Sequence, residues 1–67
     1  MISVCINGTQ QNYEQRISIA ELIDSMGLTG KRIAIECNNE IVPRSLYTQQ
    51  LLADGDKLEV VVAVGGG

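Results

Sequence analysis

The chain has 67 residues, 45% of them apolar and 19% charged, with a net charge of −3, two cysteines and no histidine. That bounds it to one small domain, near the lower size at which a chain buries a useful core, and without Phe or Trp that core must be aliphatic. The acidic balance and the lack of a Lys/Arg block argue against nucleic acid or an anionic membrane as partner, and the missing His removes Ser-His and Cys-His nucleophile pairs and any ligand set for zinc.

Ile2-Ser3-Val4-Cys5-Ile6 alternates with period two, as a half-buried strand does, with Ile2, Val4 and Ile6 on one face. Asn7-Gly8 is the strongest short hairpin signal, and Thr9 to Glu14 is the expected return strand, polar and at an edge. The stretch from Ile17 to Leu28 predicts a helix. Ser18 is its N-cap, Glu21 completes a capping box, and Ile17 and Leu22 take the staple positions. Ile19, Leu22, Ile23 and Met26 form its apolar stripe, and Gly27 is placed to end it with Leu28 folded back.

Ile33 to Cys37 is a second clear strand, and Asn38-Asn39 a turn. Glu40 to Val42 predicts a brief strand stopped by Pro43, and Ser45 to Leu52 a helical turn that buries Leu46, Leu51 or Leu52. Asp54-Gly55-Asp56 is a turn. Lys57 to Val64 is the last strand, with Leu58, Val60, Val62 and Val64 on one face and Val61 and Ala63 keeping the other apolar, which suits a central strand. Alternation sends Cys5 and Cys37 to opposite sides of the sheet, so no disulfide is expected. No apolar run approaches the ~20 residues of a membrane span, and no basic segment leads into a long apolar stretch at the N-terminus, so a cytoplasmic protein is expected.

A hairpin, a helix, two strands, an irregular segment and a strand make an α+β arrangement with one helix across a mixed sheet of four to five strands. With the first and last strands central, this is the β-grasp, or ubiquitin-like, fold. Residues 1–64 form the domain, and Gly65, Gly66 and Gly67 are expected as a free, flexible C-terminal tail. A phosphate-cradling loop needs a helix after its glycines, and a linker needs something to link; neither follows here. The reading left is a reactive terminus. Glycine carries no side chain, so Gly65 and Gly66 suit threading through a narrow channel towards Gly67. The outer sheet face, with Cys5, Ala34, Val61 and Ala63 beside Glu36 and Glu59, is the expected protein-binding patch.

Asn38-Asn39-Glu40-Ile41-Val42-Pro43-Arg44 with Tyr47, then Asp54-Gly55-Asp56 before a β-branched strand, then Val64-Gly65-Gly66-Gly67, resemble the ThiS sulfur carriers of thiamine biosynthesis along essentially the whole chain. Tyr47 stands where that family frequently has Trp, and three glycines stand where a pair is the minimum. The resemblance implies a carrier rather than an enzyme, with no bound cofactor. A ubiquitin-activating-like enzyme would adenylate Gly67 with ATP, a cysteine desulfurase relay would supply sulfur for a thiocarboxylate, and thiazole synthase would receive it. The free carrier would be a monomer. Arg44 and Tyr47 are either partner contacts or structural residues closing a turn and covering the core edge. Relatives with the same chemistry, such as molybdopterin-synthase small subunits and carriers for cysteine synthesis or tRNA thiolation, are the first alternative. A non-covalent ubiquitin-like interaction module is the second.

Overall fold

The structure, a computed structural model, describes residues 1–63. Five strands and one helix follow in the order β1 (Ile2–Ile6), β2 (Thr9–Tyr13), α1 (Ile19–Ser25), β3 (Ile33–Cys37), β4 (Glu40–Ile41) and β5 (Lys57–Val62), with a 3-10 turn at Arg44–Leu46 between β4 and β5. The sheet order is β2-β1-β5-β3-β4, mixed, with β1 parallel to β5 and the other pairs antiparallel. The expected α+β fold with a central last strand is what forms, and its Cα radius of gyration is 11.5 Å.

Both hairpins turn on two residues at positive φ, Asn7 (49°) with Gly8 (84°) and Asn38 (52°) with Asn39 (71°). Turns of that hand match the twist of the strands they join, and Asn and Gly tolerate the left-handed region. The turns therefore fix register: Ile6 pairs with Thr9, and Cys37 with Glu40.

The helix begins at the predicted cap. Ser18 Oγ accepts from the Glu21 amide at 3.1 Å, and Glu21 Oε1 accepts from the Ser18 amide at 2.9 Å. Two further first-turn donors would otherwise lack partners; the Ile19 amide donates to Gln50 O and the Ala20 amide to Tyr47 O, docking the helix on the segment before β5. At the other end Gly27 has φ 73°, its amide donates to Asp24 O, and the Leu28 amide reaches back to Ile23 O, which is a Schellman ending.

The core lies between α1 and one sheet face. Val4, Ile19, Leu22, Ile35, Leu52 and Leu58 are fully buried there. The structure corrects some expectations and narrows others. Met26 is 38% exposed: its amide still bonds back to Leu22 O, but it is the C-cap and stands at the very end of the short helix, where the core covers it only in part. Of the three leucines in the segment before β5, Leu52 alone is buried; its amide donates to Ile17 O, so it is drawn under the helix entry while Leu46 and Leu51 stay outside. Val62 shares the face of Leu58 and Val60 yet is 38% exposed. A helix of seven residues is only ~10 Å long and leaves the far end of that strand uncovered. Strand β2 stops at Tyr13 and β4 at Ile41, each short of the expected end. Val64 lies outside the described residues.

Leu22 is wholly inaccessible. Leu22→Ala should destabilise the domain by roughly 2–5 kcal/mol in urea unfolding, a large share of a typical total of ~5–15 kcal/mol. A loss under about 1 kcal/mol would be incompatible with this packing.

Candidate functional site

The site is built around the end of β5. That strand pairs with β3 over five positions, from Cys37–Leu58 to Ile33–Val62, and the Ala63 amide adds one more bond to Arg32 O at 2.9 Å. On its other side β1 pairs with it at only two positions, Cys5–Lys57 and Ile6–Leu58, because β1 turns away at Asn7. The Asn7 side chain replaces the missing strand. Its Oδ1 accepts from the Val60 amide at 2.8 Å and its Nδ2 donates to Val60 O at 3.1 Å. Asn38 acts likewise at the start of the strand, accepting from the Lys57 amide and donating to Asp56 Oδ1. Asp56 Oδ2 in turn accepts from the Ala53 amide. The strand is thus fixed as far as Ala63. Gly65, Gly66 and Gly67, the expected tail, lie outside the described residues.

The sheet face away from the helix carries the expected patch. Cys5 and Glu36 are half-buried, while Ala34, Glu59, Val61 and Ala63 are exposed. Val61 and Ala34 are direct cross-strand neighbours, and Val61 is 58% exposed. Glu36 and Glu59 also sit directly opposite one another. Like charges in that arrangement oppose sheet formation, so the face is not arranged for stability alone. Ile41, which the sequence reading did not include, pairs with Glu36 and is 66% exposed on the same face. The Asn38-Asn39 turn carried the signal, since a two-residue turn pairs Cys37 with Glu40 and therefore Glu36 with Ile41.

Arg44 and Tyr47 lie elsewhere. Arg44 opens the 3-10 turn and is exposed; Tyr47 is half-buried against the core, and its carbonyl holds the Ala20 amide. Both line a groove on the helix side of the sheet. The predicted residues therefore fall into two sets on opposite sides, and Tyr47 has a structural role whatever else it does.

The cysteines also part. Cys37 lies in the core and Cys5 is half-buried on the outer face, both as free thiols. Burial pushes the Cys37 thiol up, with the charges of Asp56 and Glu40 adding to it. Its neutral form is held, so it is no nucleophile at neutral pH. A raised thiol pKa means that the folded chain keeps a proton the unfolded chain releases. Stability from this residue is full below the ordinary thiol pKa of about 8.5 and is lost as pH rises above it. Cys37→Ala should flatten that alkaline decline in a pH series of urea midpoints, relative to the same series for the parent chain. An equally steep decline in both would show that Cys37 does not titrate with folding.

The model of the ThiS family matches residues 4–67. The chain is similar to a thiazole synthase of Paramagnetospirillum magneticum, 39% identical over 98% of the chain; it spans only 20% of that relative's length. It is also similar to the sulfur carrier protein ThiS of Bacillus subtilis, 38% identical over 92% of the chain and 96% of the relative. Among solved structures, the crystal structure of the thiamine biosynthesis protein ThiS of Geobacter metallireducens covers 98% of the chain and 100% of its own, with a TM-score of 0.82 at 22% identity, a likeness of fold.

Proposed function

This chain belongs to the ThiS family, the sulfur carriers of thiamine biosynthesis, and from that premise we propose that its cargo is a thiocarboxylate formed on Gly67. The observation that carries the proposal is a family match running from residue 4 through all three terminal glycines. In this reading residues 1–64 are the domain and Gly65–Gly67 the working tail.

The chemistry follows from the weakness of a carboxylate as an electrophile, since it is fully ionised at neutral pH. Its oxygen attacks the α-phosphorus of ATP, pyrophosphate leaves, and an acyl-adenylate forms. The cysteine desulfurase relay carries its sulfur as a persulfide; a second thiol attacks the inner sulfur, forming a disulfide and releasing hydrosulfide, which adds to the acyl carbon. AMP departs with the bridging oxygen and its electron pair, a proton is released, and the thiocarboxylate remains. The chain supplies the acyl group and no catalytic side chain, which makes it a carrier and not an enzyme. ATP belongs to the activating partner, a ubiquitin-activating-like adenylating enzyme. Glycines at 65 and 66 leave nothing projecting beside the reacting group. Such reactants belong to the cytoplasm, and a carrier that meets successive partners works as a monomer.

The outer sheet face is the surface for the activating enzyme. Its small apolar groups, Ala34, Val61, Ala63 and Cys5, with Ile41, give contact area, and Glu36 and Glu59 give steering charge. A partner cation between those two carboxylates would relieve their mutual repulsion. Thiazole synthase is the sulfur acceptor, a choice supported by the similarity of this chain to part of a protein of that name.

Incubated with an adenylating enzyme, ATP and a sulfide source, the chain should gain the mass of one oxygen-to-sulfur exchange on its C-terminal peptide. Deleting Gly66 and Gly67 should abolish the gain, and so should Gly66→Val, while neither alters the thermal midpoint much. Sulfur found on a cysteine, or a double deletion loaded as well as the parent, would sink the reading.

A further inference from the structure

On the helix side, a groove of about 430 Å³ runs between α1, the loop into β3 and the 3-10 turn. Its floor is apolar, with Ile23, Leu28 and Tyr47. Its rim carries Lys31, Arg32 and Arg44, all exposed. These are three of the chain's five basic residues, and among the described residues no acidic one lines the groove, although the net charge of the chain is −3. The fold brings them together from separate places. Leu28 and Lys31 are joined by a turn, with the Lys31 amide donating to Leu28 O, and Arg44 arrives from beyond β4.

We propose that this groove docks an acidic segment of the sulfur-accepting enzyme, with one bulky apolar side chain on the floor and flanking carboxylates against Lys31, Arg32 and Arg44. The inference rests on the carrier reading and names the surface for its second partner. A free phosphate would satisfy the cations but leave the floor uncovered, whereas a peptide segment answers both. The rim lies at the end of the sheet where β5 ends, because Arg32 O holds the Ala63 amide. An enzyme gripping the groove is therefore brought to the end of β5. Charge separates the two partners. The outer face presents Glu36 and Glu59 beside Lys57, a net negative surface, whereas the groove presents three cations, so the two surfaces suit partners of different charge. Sulfur loading and sulfur release then use opposite sides of one sheet.

The test uses full-length chains carrying a C-terminal thiocarboxylate introduced chemically, by intein cleavage with sulfide, so that loading does not depend on the activating enzyme. Transfer of sulfur to thiazole synthase is followed for the parent, K31E/R32E/R44E and K31Q/R32Q/R44Q. The charge-reversed chain should show a KM raised tenfold or more with kcat unchanged, and the neutral variant a smaller rise. The parent's KM should climb with added salt, and that climb should vanish in both variants. Adenylation of the same variants should stay within twofold of the parent. All three residues are exposed, so amide NMR spectra should show the native fold; if the triple reversal is unfolded, R44E and K31E/R32E carry the same comparison. A transfer KM within twofold of the parent, or a loss confined to adenylation, overturns the proposal. A thiocarboxylated parent that donates no sulfur sinks the carrier reading and this inference with it.

Discussion

The placement of β5 is the constraint on which everything else in this small domain depends. A strand at the centre of a five-stranded sheet needs hydrogen bonds on both sides, yet β1 accompanies it for only two residues. Two asparagine side chains complete the pairing, Asn7 at Val60 and Asn38 at Lys57. Each also sits at positive φ in a hairpin turn, so one residue type at two positions both reverses the chain and aligns the strand that leaves the domain. The arrangement is economical because carboxamides offer a donor and an acceptor with the spacing of a peptide group.

From that placement the division of labour in the sheet follows. One face meets a single short helix and an aliphatic core without Phe or Trp, and all of the fully buried large side chains lie there. Among the described residues no layer lies over the other face, and Ala34, Ile41 and Val61 are exposed there. A chain of this size cannot cover both faces of five strands. The uncovered side is the cheapest place to keep a surface for other proteins, since nothing in the core depends on it. The helix side keeps a second, basic surface only where the short helix runs out.

Much of this was legible in the residues, and the reasons are local. Period-two alternation in Ile2–Ile6 and Ile33–Cys37, the Asn7-Gly8 and Asn38-Asn39 turns, and the Ser18–Glu21 capping box each act over a few residues, so the sequence shows them directly. What escaped depends on distance in the chain. Met26 obeys the helical period but is the C-cap, at the end of a helix too short to bring it fully under cover. Leu52 rather than Leu51 is buried because a backbone bond to Ile17 selects it, and no local pattern encodes that bond. Ile41 could have been placed by counting across its turn. The basic groove could not, since Lys31, Arg32 and Arg44 meet only once β3 and β4 have paired.

The Asn7 clamp also has a consequence for the chemical ageing of the protein. Asparagine followed by glycine is the pair most prone to deamidation, in which the next backbone nitrogen closes on the side-chain carbonyl carbon. Here both ends of the Asn7 carboxamide are engaged by Val60, which holds the group away from that ring closure while the sheet is intact. Local opening of the hairpin removes the protection. The aspartate that results has no N–H to return to Val60 O and sets a negative charge against it. Damage would thus accumulate in chains that open often, and each damaged chain would then open more readily, so the turn acts as a ratchet on the working life of the carrier.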